Sequence, residues 1–108
     1  MGENYALTEA IYYTLLTLCK PNHGYGIMQK VSELSNGRVK LAAGTLYGAI
    51  SNLCSKGWIE PYEQGQDSRK KEYIITDIGR EVLSNELNRL KELVENGQSI
   101  IGGQSDDR

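Results

Sequence analysis

The chain has 108 residues, the size of one small domain, with 39% hydrophobic and 24% charged residues, two cysteines and a formal net charge of −2. No apolar run approaches the ~20 residues that cross a bilayer, and no basic segment followed by an apolar one opens the sequence. Cys19 and Cys54 each sit alone in an apolar helical pattern, which suits buried, reduced thiols and argues against a disulfide or a metal site; a cytoplasmic domain with one modest core is expected.

The charge is unevenly spread. Residues 20–71 hold eight bases and four acids, whereas residues 72–108 hold four bases and eight acids. A basic middle and an acidic end can place a positive surface on one side of the fold, where phosphates could meet it.

Residues 4–19, NYALTEAIYYTLLTLC, carry Leu7, Ile11, Leu15 and Leu18 at helical spacing, which predicts a helix ending before Pro21. KPNHG reads as a turn from its Pro, Asn and Gly. A second helix, YGIMQKVSELS, places Ile27, Val31 and Leu34 on one face and stops at Asn36-Gly37. The connector RVKLAA has the composition of an extended segment. A third helix over roughly residues 43–56 buries Leu46, Ile50 and Leu53 and ends at Gly57.

WIEPYEQGQDSRKKEYIIT then reads as a two-stranded hairpin, with QGQDS at the turn and Pro61 marking a free strand edge. Thr76 is placed to cap a fourth helix, with Asp77 favourable in its first turn. Leu83, Leu87, Leu90 and Val94 form a seam along that helix, continued in register by Ile101. GGQSDDR has no apolar anchor. The fold class expected is α+β, mostly α: a winged helix-turn-helix over residues 1–76, an added C-terminal dimerisation helix over 77–98 and a disordered tail over 99–108.

The third helix is the most informative element. Its outer face carries Thr45, Tyr47, Gly48, Ser51 and Asn52, with no acid, whereas an ordinary solvated face is dense in Lys and Glu. A helix that enters the major groove needs short, hydrogen-bonding side chains and no carboxylate to repel phosphates. Arg69, Lys70 and Lys71 follow in the hairpin, where they could meet the DNA backbone. Alone, such a run equally serves as a soluble strand edge. The helix-four seam exceeds what one helix can bury on three short ones, and suits a two-fold dimer reading a palindromic site.

Catalytic chemistry finds no support. His23 stands in a turn without a Ser, Cys or metal-ligand companion nearby. The GYG of residues 24–26 fails the dinucleotide fingerprint, because Gln29 occupies the third glycine position. The acids of helix four read as a solvated face. No cofactor, metal or catalytic residue is expected.

Three stretches together resemble the PadR family of transcriptional regulators: HGYGI at 23–27, GTLYGAISNLCSKGWIE at 44–60 and RKKEYIITDIGREVL at 69–83. The resemblance spans about residues 5–95 and is to the small subfamily with a single C-terminal helix. It implies a homodimeric winged-helix repressor, often autoregulatory, whose recognition helix begins at GTLY. It also implies that Tyr25 and the basic wing touch the DNA backbone. Members often have proline where Ala43 and Gly48 stand here. Some use a tryptophan on the last helix to hold flat aromatic drugs, whereas the single tryptophan of this chain, Trp58, lies outside that helix.

The DNA-contacting set is therefore expected to be Tyr25, Lys40, Thr45, Tyr47, Gly48, Ser51, Arg69, Lys70 and Lys71. The dimer interface is expected at Leu7, Ile11, Leu83, Leu87, Leu90 and Val94. The partners are palindromic double-stranded DNA, a second copy of the chain and, with no residue assigned to it, a small hydrophobic effector; no membrane is involved. The competing reading, prompted by the acidic pI of about 5.4, is a winged-helix module that binds protein and not DNA.

Overall fold

The computed structural model describes residues 6–63 and 71–102. Helix α1 (Glu9–Thr17) begins later than the apolar periodicity suggested, because Thr8 intervenes as N-cap: its hydroxyl accepts the Ile11 N–H at 3.2 Å. Leu7 thus lies ahead of the helix.

Strand β1 (Asn22–His23) falls inside the segment read as a turn. It pairs antiparallel with β3 (Glu72–Ile75), which pairs on its other side with β2 (Ile59–Tyr62). The sheet therefore has three strands in the order β1-β3-β2, where a two-stranded hairpin was expected. Two residues are too few to leave a periodic signal, so only the pairing with β3 defines β1. The RVKLAA connector, the other candidate for an extended segment, joins no strand. Pro61 lies on β2, an edge strand, where its missing N–H costs no ladder bond.

Helix α2 (Gly24–Leu34) ends through Asn36 and Gly37, both at positive φ, with the Gly37 N–H reaching back to Ser32 O at 2.7 Å. This is the six-to-one closure of a Schellman stop. Its buried row is Ile27, Val31 and Ser35, and Leu34 is exposed, contrary to the sequence expectation. The inner row continues at i+4, and Ser35 is tolerated there because its hydroxyl donates to Val31 O and accepts the Val39 N–H, each at 2.9 Å. That buried serine also shapes the turn into α3 (Ala43–Ser55). Helix α3 stops in the same manner as α2: Gly57 adopts φ +77°, and the Trp58 N–H bonds Leu53 O at 3.0 Å.

Helix α4 (Asp77–Gly97) is capped by Thr76, as the sequence indicated: its hydroxyl accepts the Gly79 N–H at 3.1 Å and donates to Gly57 O at 2.6 Å. Gly79 lets α4 press against the wing, since a Cβ there would lie 2.1 Å from the Trp58 carbonyl oxygen. The core gathers Leu15, Leu18, Ile27, Val31, Leu46, Ile50, Leu53, Ile59, Ile75 and Leu83 from every helix and both long strands. Each fully buried member contributes about 1.5–3 kcal/mol of apolar transfer.

Two expectations for α4 are corrected. Glu86, read as part of a solvated acidic face, is buried and forms a two-pronged bond to Arg89 (Nε to Oε1 2.8 Å, Nη2 to Oε2 2.7 Å). It also accepts the Leu7 N–H at 3.2 Å, which ties the segment before α1 to α4. The helical path then runs through a π-helical turn, Gln98–Gly102, into the stretch expected to be disordered from residue 99. Residues 103–108 lie outside the described residues.

Candidate nucleic-acid interface

Helix α3 is fixed on its inner side by Leu46, Ile50 and Leu53 and turns Thr45, Gly48, Ser51 and Asn52 outward, all exposed. A Cβ at Gly48 would meet nothing within 4 Å, so the bare backbone faces open space and admits close approach from outside the chain. Cys54 is half-buried near the end of this helix, and burial raises its thiol pKa.

The helix starts divide into two kinds. The hydroxyls of Thr8 and Thr76 cap α1 and α4, whereas neither His23 before α2 nor Ala42 before α3 supplies a side-chain cap. Neither α2 nor α3 has an acid in its first turn. The two helices of the helix-turn-helix therefore start without a side-chain cap from the N-cap residue and without an acid, and their dipoles favour an anion there.

Tyr25, at the start of α2, is exposed and accepts a weak hydrogen bond from Gln29 Nε2 at 3.4 Å. Tyr47 is half-exposed and reaches across to α2, where its hydroxyl lies over Gly24. It lines a shallow groove with Ile50, Ser51 and Cys54 of α3 and with Pro61 and Tyr73 of the wing. The structure thus brings Tyr47 and Ser51 together beside the wing. Lys40 lies exposed in the connector ahead of α3, and Lys71 lies exposed at the root of β3. Arg69 and Lys70 lie outside the described residues.

Sequence reasoning missed Gly24 and Gln29. Nothing in the sequence signals that Gly24 lies under Tyr47 or that Gln29 reaches Tyr25, because both contacts are placed by folding.

Of the residues expected at a dimer interface, Leu83 is buried in the chain's own core and is thereby removed from the exposed seam. Leu7 and Ile11 are half-buried against that core, and Leu90 is half-buried. Leu87, Leu93 and Val94 are exposed, followed by Ile100 and Ile101 in the π-helical turn.

The model of the transcriptional regulator PadR-like family matches residues 13–85, which include α2, α3, the wing and the start of α4. The chain belongs to the PadR-like family of transcriptional regulators. This is a family of regulators and not of enzymes. Two curated relatives exceed 30% identity. One is an uncharacterised 37.1 kDa protein of transposon TN4556 from Streptomyces fradiae, 34% identical over 83 residues. The other is an uncharacterised protein X from Lysinibacillus sphaericus, 32% identical over 85 residues. The matches cover 73% and 74% of this chain, but 23% of the first relative and 78% of the second.

Solved PadR-family regulators from Eggerthella lenta and Clostridium difficile share the fold at TM-scores of 0.66 and 0.67, each at 24% identity. They align over 84% and 86% of this chain and 80% and 95% of theirs. RosR of H. salinarum covers 98% of this chain and 100% of its own, with a TM-score of 0.69 at 21% identity. The mostly helical winged helix-turn-helix with a long last helix is therefore a PadR architecture. Among the described residues no helix is long and apolar enough to cross a membrane.

Proposed function

We propose that this PadR-family regulator binds DNA sequence-specifically as a homodimer and represses transcription, its own promoter included. The observation that carries the reading is the outer face of α3: exposed, uncharged, short at Thr45, Gly48 and Ser51, and uncapped at its N-terminus. Such a face can enter a major groove with its hydroxyls near base edges and its N-terminal N–H groups near phosphate. Tyr25 from the start of α2 and Tyr47 from the second turn of α3 would donate to backbone oxygens, while Lys40, Lys71 and the neighbouring Arg69 and Lys70 neutralise phosphates. The acidic overall charge does not oppose this, because four of the eight acids after residue 71 lie on α4 beyond its first turn: Glu81, Glu86, Glu92 and Glu95.

The exposed stripe of Leu87, Leu93 and Val94 supports pairing through α4. A two-fold dimer would present two copies of α3 to the half-sites of a palindrome. A small hydrophobic effector would regulate such a dimer only by binding its DNA-competent and incompetent spacings with different affinity.

The test is binding to duplex DNA from upstream of the chain's own coding sequence, followed by anisotropy across a salt series. Log affinity should fall linearly with log salt, with a slope of about −0.9 per phosphate contact. Lys70→Ala with Lys71→Ala should make that slope shallower by about one to two. A flat response, or no binding at low salt, would transfer the reading to a protein-binding winged helix.

A further inference from the structure

Gly24 is buried at the first position of α2, and its backbone is not in the left-handed region, so conformation alone does not call for glycine. Space does. A Cβ at this position would lie 2.3 Å from the Tyr47 hydroxyl oxygen, 2.9 Å from Cζ and 3.3 Å from Cε1. By contrast, Gly44 and Gly48 on α3 have nothing within 4 Å. Tyr47 comes from the middle of the chain's groove-facing helix, is 52% exposed and ends with its hydroxyl at the uncapped start of the neighbouring helix. No hydrogen bond within the described residues occupies that hydroxyl.

We propose that Gly24 is a positioning residue for DNA recognition: the space left by its absent side chain seats the Tyr47 hydroxyl at the N-terminus of α2, and a larger residue there moves it. Seated in this way, the hydroxyl stands at the start of α2, where a phosphate oxygen drawn by the helix dipole could accept from it. The obstructing atoms belong to the far end of a half-exposed side chain and not to backbone, so the fold can accept a methyl group at residue 24 by swinging Tyr47 outward. The substitution should therefore spare stability and damage recognition. That combination separates a positioning role from a structural one.

The proposal rests on the DNA-facing reading of α3, and its test has two arms. In the first, Gly24→Ala should keep the thermal midpoint and far-UV spectrum of the parent. It should lose about tenfold in affinity for the upstream duplex, the scale of one displaced hydrogen bond. Tyr47→Phe should lose a similar factor, and the double variant should bind within about twofold of either single one, because the same hydroxyl is removed twice. Parental affinity for Gly24→Ala, or losses that multiply in the double variant, would overturn the proposal. In the second arm, the ring resonances of Tyr47, assigned by their disappearance in Tyr47→Phe, should shift in Gly24→Ala without DNA. If the parent binds no DNA, the recognition claim falls with the DNA reading while this arm still judges the seat; unmoved resonances overturn the seat itself.

Discussion

Replacing Arg89 with alanine should destabilise the protein more than replacing Glu86, although the two form one ion pair. The side chain of Glu86 is 2% exposed and that of Arg89 is 30% exposed. In Glu86→Ala the stranded guanidinium can turn to water, so the loss is that of two charge-assisted bonds and the Leu7 anchor, about 2 kcal/mol net. In Arg89→Ala the carboxylate keeps only the Leu7 N–H and loses the charge that balanced it, so the loss should exceed that of Glu86→Ala, limited by solvent reaching the vacated space and by protonation. Urea unfolding at fixed protein concentration, followed by emission of Trp58, reads both values.

Acid dependence supplies a second check on the same pair. The Arg89 hydrogen bond, opposed by burial and assisted by the Leu7 N–H, holds the Glu86 carboxyl below its usual range. A carboxyl lowered in the folded state stabilises fully above the unfolded value of about 4.3 and loses that contribution as pH falls through the folded value. The stability gap between the parent and Glu86→Gln should thus be constant at neutral pH and close under acid. The penalty of Arg89→Ala should also relax on acidification, since an unpaired buried carboxyl prefers its proton. Equal costs for the two alanine variants, or an acid-independent gap, would refute the buried-clamp reasoning.

Three further outcomes are expected. Gly79→Ala places a methyl group against the Trp58 carbonyl, which cannot swing aside as a side-chain tip can, so about 2–3 kcal/mol should be lost with a shift in Trp58 emission. Thr76→Ala removes both the cap of α4 and the bond to Gly57 O and should cost about 1–2 kcal/mol, most of it restored by Thr76→Ser; equal unfolding midpoints for Ala and Ser would refute the capping role. Leu87→Asp places a charge in the exposed α4 stripe and should shift sedimentation from dimer to monomer, while leaving the monomer folded because Leu87 lies outside the core; a dimer that survives would exclude this stripe as the interface.

Local chemistry announces itself in the sequence wherever it repeats or is punctuated. The stops at Asn36-Gly37 and Gly57, the Thr76 cap, the strand edge at Pro61 and the uncharged face of α3 all follow from a few neighbouring residues. Each depends on backbone conformation or helical period alone. The three motif stretches, in order, were enough to indicate the family.

Other features depend on contacts that are distant in sequence. Strand β1 exists only because Asn22 and His23 meet β3 some fifty residues later. Leu34 and Ser35 exchange inner and outer positions because the turn to Val39 satisfies a buried hydroxyl that composition would place outside. Glu86 passes for a surface acid until Arg89 and Leu7 close around it. Leu83 belongs to the same periodic seam as Leu87, yet one faces the chain's own core and the other solvent. Periodicity shows which residues share a helix face; only tertiary packing decides how far along that face the core extends. In this chain the sequence by itself determined the helices, the wing and the family. The tertiary structure decided which end of α4 is core, which glycine makes room for Tyr47 and which carboxylate is buried, because burial belongs to the surfaces that meet and not to any one stretch of chain.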